Sequence, residues 1–129
     1  MPLESSVELS DRLRSYLEAW ADMNPEKVSQ NYLDDATHRG PGMVLLAPEI
    51  ADHTLRSAAA IREFVKANKP EGIVITYRVH WVQETESTSV AEYEFTSPGW
   101  AAPGFAVDII EWSGDKVKSV RAYALTSNF

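Results

Sequence analysis

The apolar residues of this chain change period halfway along it, and that switch limits the fold more than any single residue does. In the first half Val7, Leu9, Leu13, Tyr16, Leu17 and Trp20 fall on one stripe, the recurrence that a 3.6-residue helical turn requires. In the second half the alternation is every other residue. Ile73, Ile75, Tyr77, Val79 and Trp81 alternate with Val74, Thr76, Arg78, His80 and Val82, and Ala91, Tyr93 and Phe95 alternate with Glu92 and Glu94. A period of two places one set of side chains on each face of a sheet. Helices followed by strands predict an α+β fold, with three helices packed on one side of a curved, mostly antiparallel sheet.

Local signals set the expected boundaries. Ser5 with Glu8 reads as a capping box for the first helix. Asn24-Pro25 reads as an N-cap followed by a first-turn proline, opening a second, short helix to about Leu33. Ser57 is expected to cap a third helix, with Ile61, Phe64 and Val65 on its inner face. Ser89 to Phe95 and Phe105 to Trp112 read as strands, joined by a loop that carries Trp100. Ser113-Gly114-Asp115 signals a hairpin, and Lys116 to Thr126 is the last strand. Pro41 to Arg56 is apolar, holds two prolines and has no clean period. It reads equally as a lid or pocket wall and as a buried edge strand.

Composition closes off several classes of function. With 129 residues, the chain is expected to form one domain over 1–129. A net charge of −7 argues against nucleic acid and against anionic membrane surfaces. There is no Cys, so no disulfide or thiolate metal site can form, and the three His residues show no metal-site spacing. Met1 to Ser6 lacks the basic start and apolar core of a signal peptide. No apolar run approaches the ~20 residues of a membrane span, so a cytoplasmic protein is expected. Glycine-rich phosphate loops, serine nucleophile elbows and Cys-x-x-Cys pairs are missing from the sequence.

Asp108 is the residue that asks for chemistry. It sits within Phe105-Ala106-Val107-Asp108-Ile109-Ile110-Glu111-Trp112, a run that otherwise reads as a buried strand. A carboxylate among apolar neighbours is costly to desolvate, so it tends to keep its proton near neutral pH. A protonated acid in a dry cavity can donate a hydrogen bond to a developing oxyanion. The plainer alternative is a structural acid bonded to a buried Tyr or a backbone amide.

The order of elements, with Tyr16-Leu17-Glu18-Ala19-Trp20, Leu33-Asp34-Asp35-Ala36-Thr37, Ala59-Ala60-Ile61-Arg62-Glu63-Phe64, and Asp108 through Gly114 to Lys116-Val117, resembles the nuclear transport factor 2-like superfamily. Within it, the chain is most similar to ketosteroid isomerases and SnoaL-like polyketide cyclases. The resemblance implies a cone-like α+β barrel and a cofactor-free enzyme of isomerase, cyclase or dehydratase type. Its substrate would be a hydrophobic, carbonyl- or hydroxyl-bearing small molecule, handled through an enolate-like intermediate. It also implies that Tyr16 and Asp108 stand where the family has its oxyanion hole, that Tyr32 matches a supporting Tyr, and that Phe64 matches an apolar wall.

One position departs from that pattern. Where the family carries its proton-shuttling Asp this chain has Gly40, which cannot accept a proton. His38 lies two residues earlier and faces the same way on a strand. Its ordinary pKa of about 6.5 suits a general base. Asp52 and His53 are further candidates, and a hydrogen-bonded spacer role is the plain reading of His38.

Trp20, Tyr32, Phe64, Trp112, Ala122 and Ala124 are expected to shape the cavity. If Val120, Ala122 and Ala124 share the inward face, two alanines stand where a filled core would want bulk. The other face, with Arg78 and His80 set against Glu92 and Glu94, is expected to pair its charges across strands. With Arg121 and Tyr123 it is the face on which related domains commonly form homodimers. Two other functions stay open: epoxide-type hydrolysis, which needs Arg56 or Arg78 beside Asp108, and a non-catalytic ligand-binding or dimerisation module.

Overall fold

A computed structural model describes residues 3–69 and 74–125, with Leu45 as backbone only. The expected strand positions Ile73 and Thr126 therefore lie outside the described residues. In chain order the elements are β1 (Leu3–Ser5), α1 (Asp11–Ala21), α2 (Pro25–Gln30), β2 (Tyr32–Arg39), α3 (Pro41–Leu46), β3 (Thr54–Leu55), α4 (Ala58–Asn68), β4 (Thr76–Glu84), β5 (Thr88–Thr96), β6 (Gly104–Ser113) and β7 (Lys116–Leu125). The strands form one open sheet in the order β1-β4-β5-β6-β7-β2-β3. Its centre is antiparallel, while β1 on β4 and β2 on β7 run parallel. The α+β class stands, with a mixed sheet that is not closed and a fourth helix, α3, added to the expected three.

The helices form where capping and apolar spacing agree. Leu13, Tyr16, Leu17 and Trp20 of α1 are all buried against the sheet. The cap of α1 differs from expectation. Ser10 caps the helix by accepting from the Leu13 amide at 3.3 Å, while Ser5 belongs to β1, whose residues pair with Tyr77 to Val79. Glu84 holds Ser10 in place, accepting from both its amide and its hydroxyl, and that contact could not be read from local sequence. Asn24 caps α2 through the Lys27 amide and Ser57 caps α4 through the Ala60 amide. Helix α2 stops at Gln30, short of Leu33, because Tyr32 is drawn into register with Val117.

Two further boundaries were set by tertiary pairing. The segment from Pro41 is neither one loop nor one strand: α3 follows Gly40, a 3₁₀ turn spans Ala51–His53, and β3 is a two-residue edge on His38 and Arg39. In β4 a bulge between Val79 and Trp81 shifts the register, so Trp81 turns outward and is 48% exposed instead of facing the core. The 113–116 hairpin closes on Gly114, whose φ of +60° is the left-handed conformation a tight two-residue turn needs.

Candidate active site

The inner face of the sheet, α1, α3 and the tip of α4 enclose a cavity of about 380 Å³. The alternation along β6 and β7 sets its floor. Asp108 and Ala106 point inward, and their register partners Ala122 and Ala124 stand directly beside them. The two alanines leave the hollow, and aromatic rings wall it: Trp20, Phe64, Tyr77, Tyr93, Phe95 and Trp100. Phe95 meets Trp100 edge-on at 5.9 Å. It also lies so close to Gly104 that a Cβ there would come within 2.4 Å of the ring, so a glycine at 104 lets this wall form.

Asp108 is the only carboxyl in the described lining, and it is 4% exposed. Tyr93 donates to its Oδ1 at 3.1 Å, and no described protein donor reaches Oδ2. Burial pushes its pKa up to about 7, against a smaller lowering by the Tyr93 hydrogen bond. The carboxyl therefore straddles protonated and ionised forms near neutrality. The same burial raises the pKa of the Tyr16, Tyr77 and Tyr93 hydroxyls, with the Asp108 charge adding to each. They remain neutral hydrogen-bond donors.

His38 lines the cavity from β2, two strands over from Asp108. Its ring stacks on Trp20 at 4.9 Å and 24°, and its Nδ1 lies 2.8 Å from the Tyr32 hydroxyl. Tyr32 also accepts from the Trp20 indole N–H at 3.0 Å and lies 3.4 Å from the Tyr16 hydroxyl. Burial holds His38 down at about 4, so it is neutral at physiological pH. Nε2 faces Gly40: a Cβ built on Gly40 would lie 3.7 Å from it and 3.2 Å from the Ala122 Cβ. A side chain at position 40 would thus point at the same part of the cavity that His38 occupies, and would crowd Ala122.

Of the residues expected to form the site, Asp108, Tyr16, His38, Trp20, Phe64, Ala122 and Ala124 all line this one cavity. Two do not. Tyr32 stands behind the wall as partner to Tyr16, Trp20 and His38, because its position in β2 turns its hydroxyl toward α1. Trp112 lies two turns of alternation further along β6. It packs edge-on against Tyr16 at 6.4 Å, gives its N–H to Ser89 and is covered by Arg12. Asp52 and His53 sit exposed on the 3₁₀ turn, outside the cavity wall. Arg56 pairs with Asp52, and Arg78 pairs with Glu4 and Glu94, so neither guanidinium stands beside Asp108.

Tyr77, Tyr93, Trp100 and Met43 complete the wall and were not singled out from the sequence. Tyr93 was findable, because its alternation with Glu92 and Glu94 turns it inward. The antiparallel register that sets Ala91 opposite Asp108, and Tyr93 opposite Ala106, was not.

Residues 13–120 match the SnoaL-like domain model, so the chain belongs to the SnoaL-like domain family. No protein of curated function matches it in sequence. Among solved structures, it is similar to a protein with a ketosteroid isomerase-like fold from Catenulispora acidiphila, in complex with trimethylamine (13% identity, 94% of this chain and 88% of that one, TM-score 0.68). An LEH-like epoxide hydrolase from M. tuberculosis gives 10% identity, 88% and 80% coverage, and a TM-score of 0.66. An NTF2-like protein from Cytophaga hutchinsonii gives 12%, 93% and 94%, and 0.65. These likenesses show the nuclear transport factor 2-like fold. That fold hosts more than one reaction, so function has to be argued from the site.

Proposed function

We propose that this chain is a cofactor-free enzyme that enolises a hydrophobic, carbonyl-bearing small molecule in an isomerisation, cyclisation or dehydration. The observation that carries the proposal is Asp108: one acid, buried in an aromatic hollow, with one oxygen bound by Tyr93 and the other uncommitted. In its protonated form Oδ2–H donates to the substrate oxygen, and the Tyr16 hydroxyl donates beside it. Both donors strengthen as negative charge develops on that oxygen, which is what lowers the barrier. His38 Nε2, neutral and facing the space a family Asp would fill, takes the carbon-bound proton and returns it to another carbon. Trp20, Phe64, Ala122 and Ala124 exclude water and shape the bound ring system.

Epoxide opening with a paired Arg finds no support, since Arg56 and Arg78 are committed elsewhere. The outer face supports a homodimer: Phe105, Tyr123 and Leu125 are exposed there on adjacent strands.

The test uses 4-nitrophenol, whose phenolate mimics the enolate. The protein should bind it, and Asp108→Asn or Tyr16→Phe should each weaken binding about tenfold or more. Affinity for the phenolate, corrected for the ligand's own ionisation in the same pH range, should also weaken as pH rises through about 7, where Asp108 loses the proton it donates. A carboxyl that titrates in the ordinary acidic range by NMR, with phenol affinity unchanged in both variants, would leave only a ligand-binding or dimerisation module.

A further inference from the structure

Tyr32 is 4% exposed and forms no part of the cavity wall, yet its hydroxyl touches three functional side chains. The chemistry of those contacts allows only two arrangements. Trp20 Nε1 is a donor and nothing else, so the Tyr32 oxygen must accept from it. That leaves Tyr32 a single proton to place, on His38 Nδ1 or on the Tyr16 oxygen. If it goes to His38, then Nε2 carries the ring proton into the cavity and offers no lone pair. If it goes to Tyr16, then His38 Nδ1–H donates to Tyr32, Nε2 is bare, and Tyr16 is left with its own proton to present to the cavity. The second arrangement creates the base and the oxyanion donor together.

We infer that Tyr32 is a positioning residue that couples the base at His38 to the donor at Tyr16 through this hydroxyl chain. The inference rests on the enolising reading of the cavity. In the coupled step a substrate C–H bond breaks as Nε2–H forms. The Nδ1 proton moves to the Tyr32 oxygen, the Tyr32 proton moves to Tyr16, and the Tyr16 proton moves to the substrate oxygen. The C=O becomes C–OH, the adjacent C–C becomes C=C, and nothing is oxidised or reduced. Afterwards Tyr32 donates to Nδ1 and Tyr16 donates to Tyr32, which is the first arrangement. Return of the Nε2 proton to a different carbon runs the chain backwards. No imidazolium has to persist, so a histidine that burial makes a poor base can still move the proton.

The test reads the His38 tautomer by ¹⁵N NMR in the ligand-free protein, which requires no turnover. The wild type should hold Nδ1–H with Nε2 bare. Tyr32→Phe removes the acceptor of Nδ1–H and should shift the ring predominantly to Nε2–H. Tyr16→Phe makes no contact with His38, yet it deprives Tyr32 of its acceptor and should produce the same shift. A tautomer identical in all three proteins overturns the coupling. Because 4-nitrophenol binding is measured separately, the two readings fail separately. Asp108-dependent binding with an unresponsive tautomer keeps the oxyanion site and removes the relay. A responsive tautomer with no phenol binding keeps the hydroxyl chain and removes the enzyme.

Discussion

One sheet carries the same two functional groups, an imidazole and a carboxyl, in two settings. On the outer face His80 Nε2 meets Glu94 at 2.6 Å, with Arg78 also reaching that carboxylate, and the imidazole is exposed while the carboxylate is half-buried. On the inner face His38 and Asp108 are each buried, each bonded to a tyrosine hydroxyl, and among the described residues neither forms an ion pair. Outside, water screens the contact and leaves the interaction weak. Inside, desolvation drives both groups toward neutrality, raising the acid and lowering the base. The environment, more than residue type, separates a solvated surface contact from a pair of buried, near-neutral groups.

The largest test of that contrast is stability against pH. Asp108 has a folded pKa of about 7 against an ordinary 3.8, so between them the folded state holds a proton the unfolded chain has lost. Stability from this group therefore falls as pH rises across that window. His38 sits at about 4 against 6.5, so the folded state lacks a proton the unfolded chain holds, and stability falls as pH drops. The two slopes oppose each other from about pH 4 to 6.5, and the wild-type profile should be nearly flat there. Asp108→Asn should leave stability rising with pH by roughly 3 kcal/mol, and His38→Gln should leave it falling by roughly 4 kcal/mol toward pH 7. Urea unfolding at several pH values checks this, and parallel profiles in all three proteins would rule it out.

A smaller effect separates hollow from core along one strand. Val120 is fully packed, whereas Ala122, two residues on and on the same face, borders the cavity. Val120→Phe should cost about 1–3 kcal/mol by overpacking, and Ala122→Phe well under that, while abolishing 4-nitrophenol binding. Equal costs would mean that the space beside Ala122 is already filled. Smallest of all, His80→Gln should change stability by less than about 1 kcal/mol in thermal melts, and more weakly still in high salt. A larger loss would show that the outer pair carries structural weight.

Much of the fold was legible because period is a local property. The stripe on α1, the Asn24 and Ser57 caps and the 113–116 hairpin each depend on neighbours within four residues. The misreadings came where a distant partner decided. Glu84 moved the start of α1 to Ser10, Val117 ended α2 early by pairing with Tyr32, and the β4 bulge turned Trp81 outward. The site shows the same division. Asp108 stood out because a charge in an apolar strand is visible in one dimension, and Tyr32 could be matched to a supporting role. Its bond to His38, and that of Tyr93 to Asp108, follow from strand register and helix packing.

By itself the sequence determined that helices dominate the first half and long strands the second, that an acid would be buried on the penultimate strand, and that two alanines would leave room beside it. Those are consequences of side-chain size and polarity, which each residue carries wherever it is placed. Tertiary structure decided which tyrosine binds that acid, that His38 shares its cavity, and that Trp112 does not. Those outcomes depend on how strands slide against one another, and a slip of one residue would turn each of these side chains to the other face.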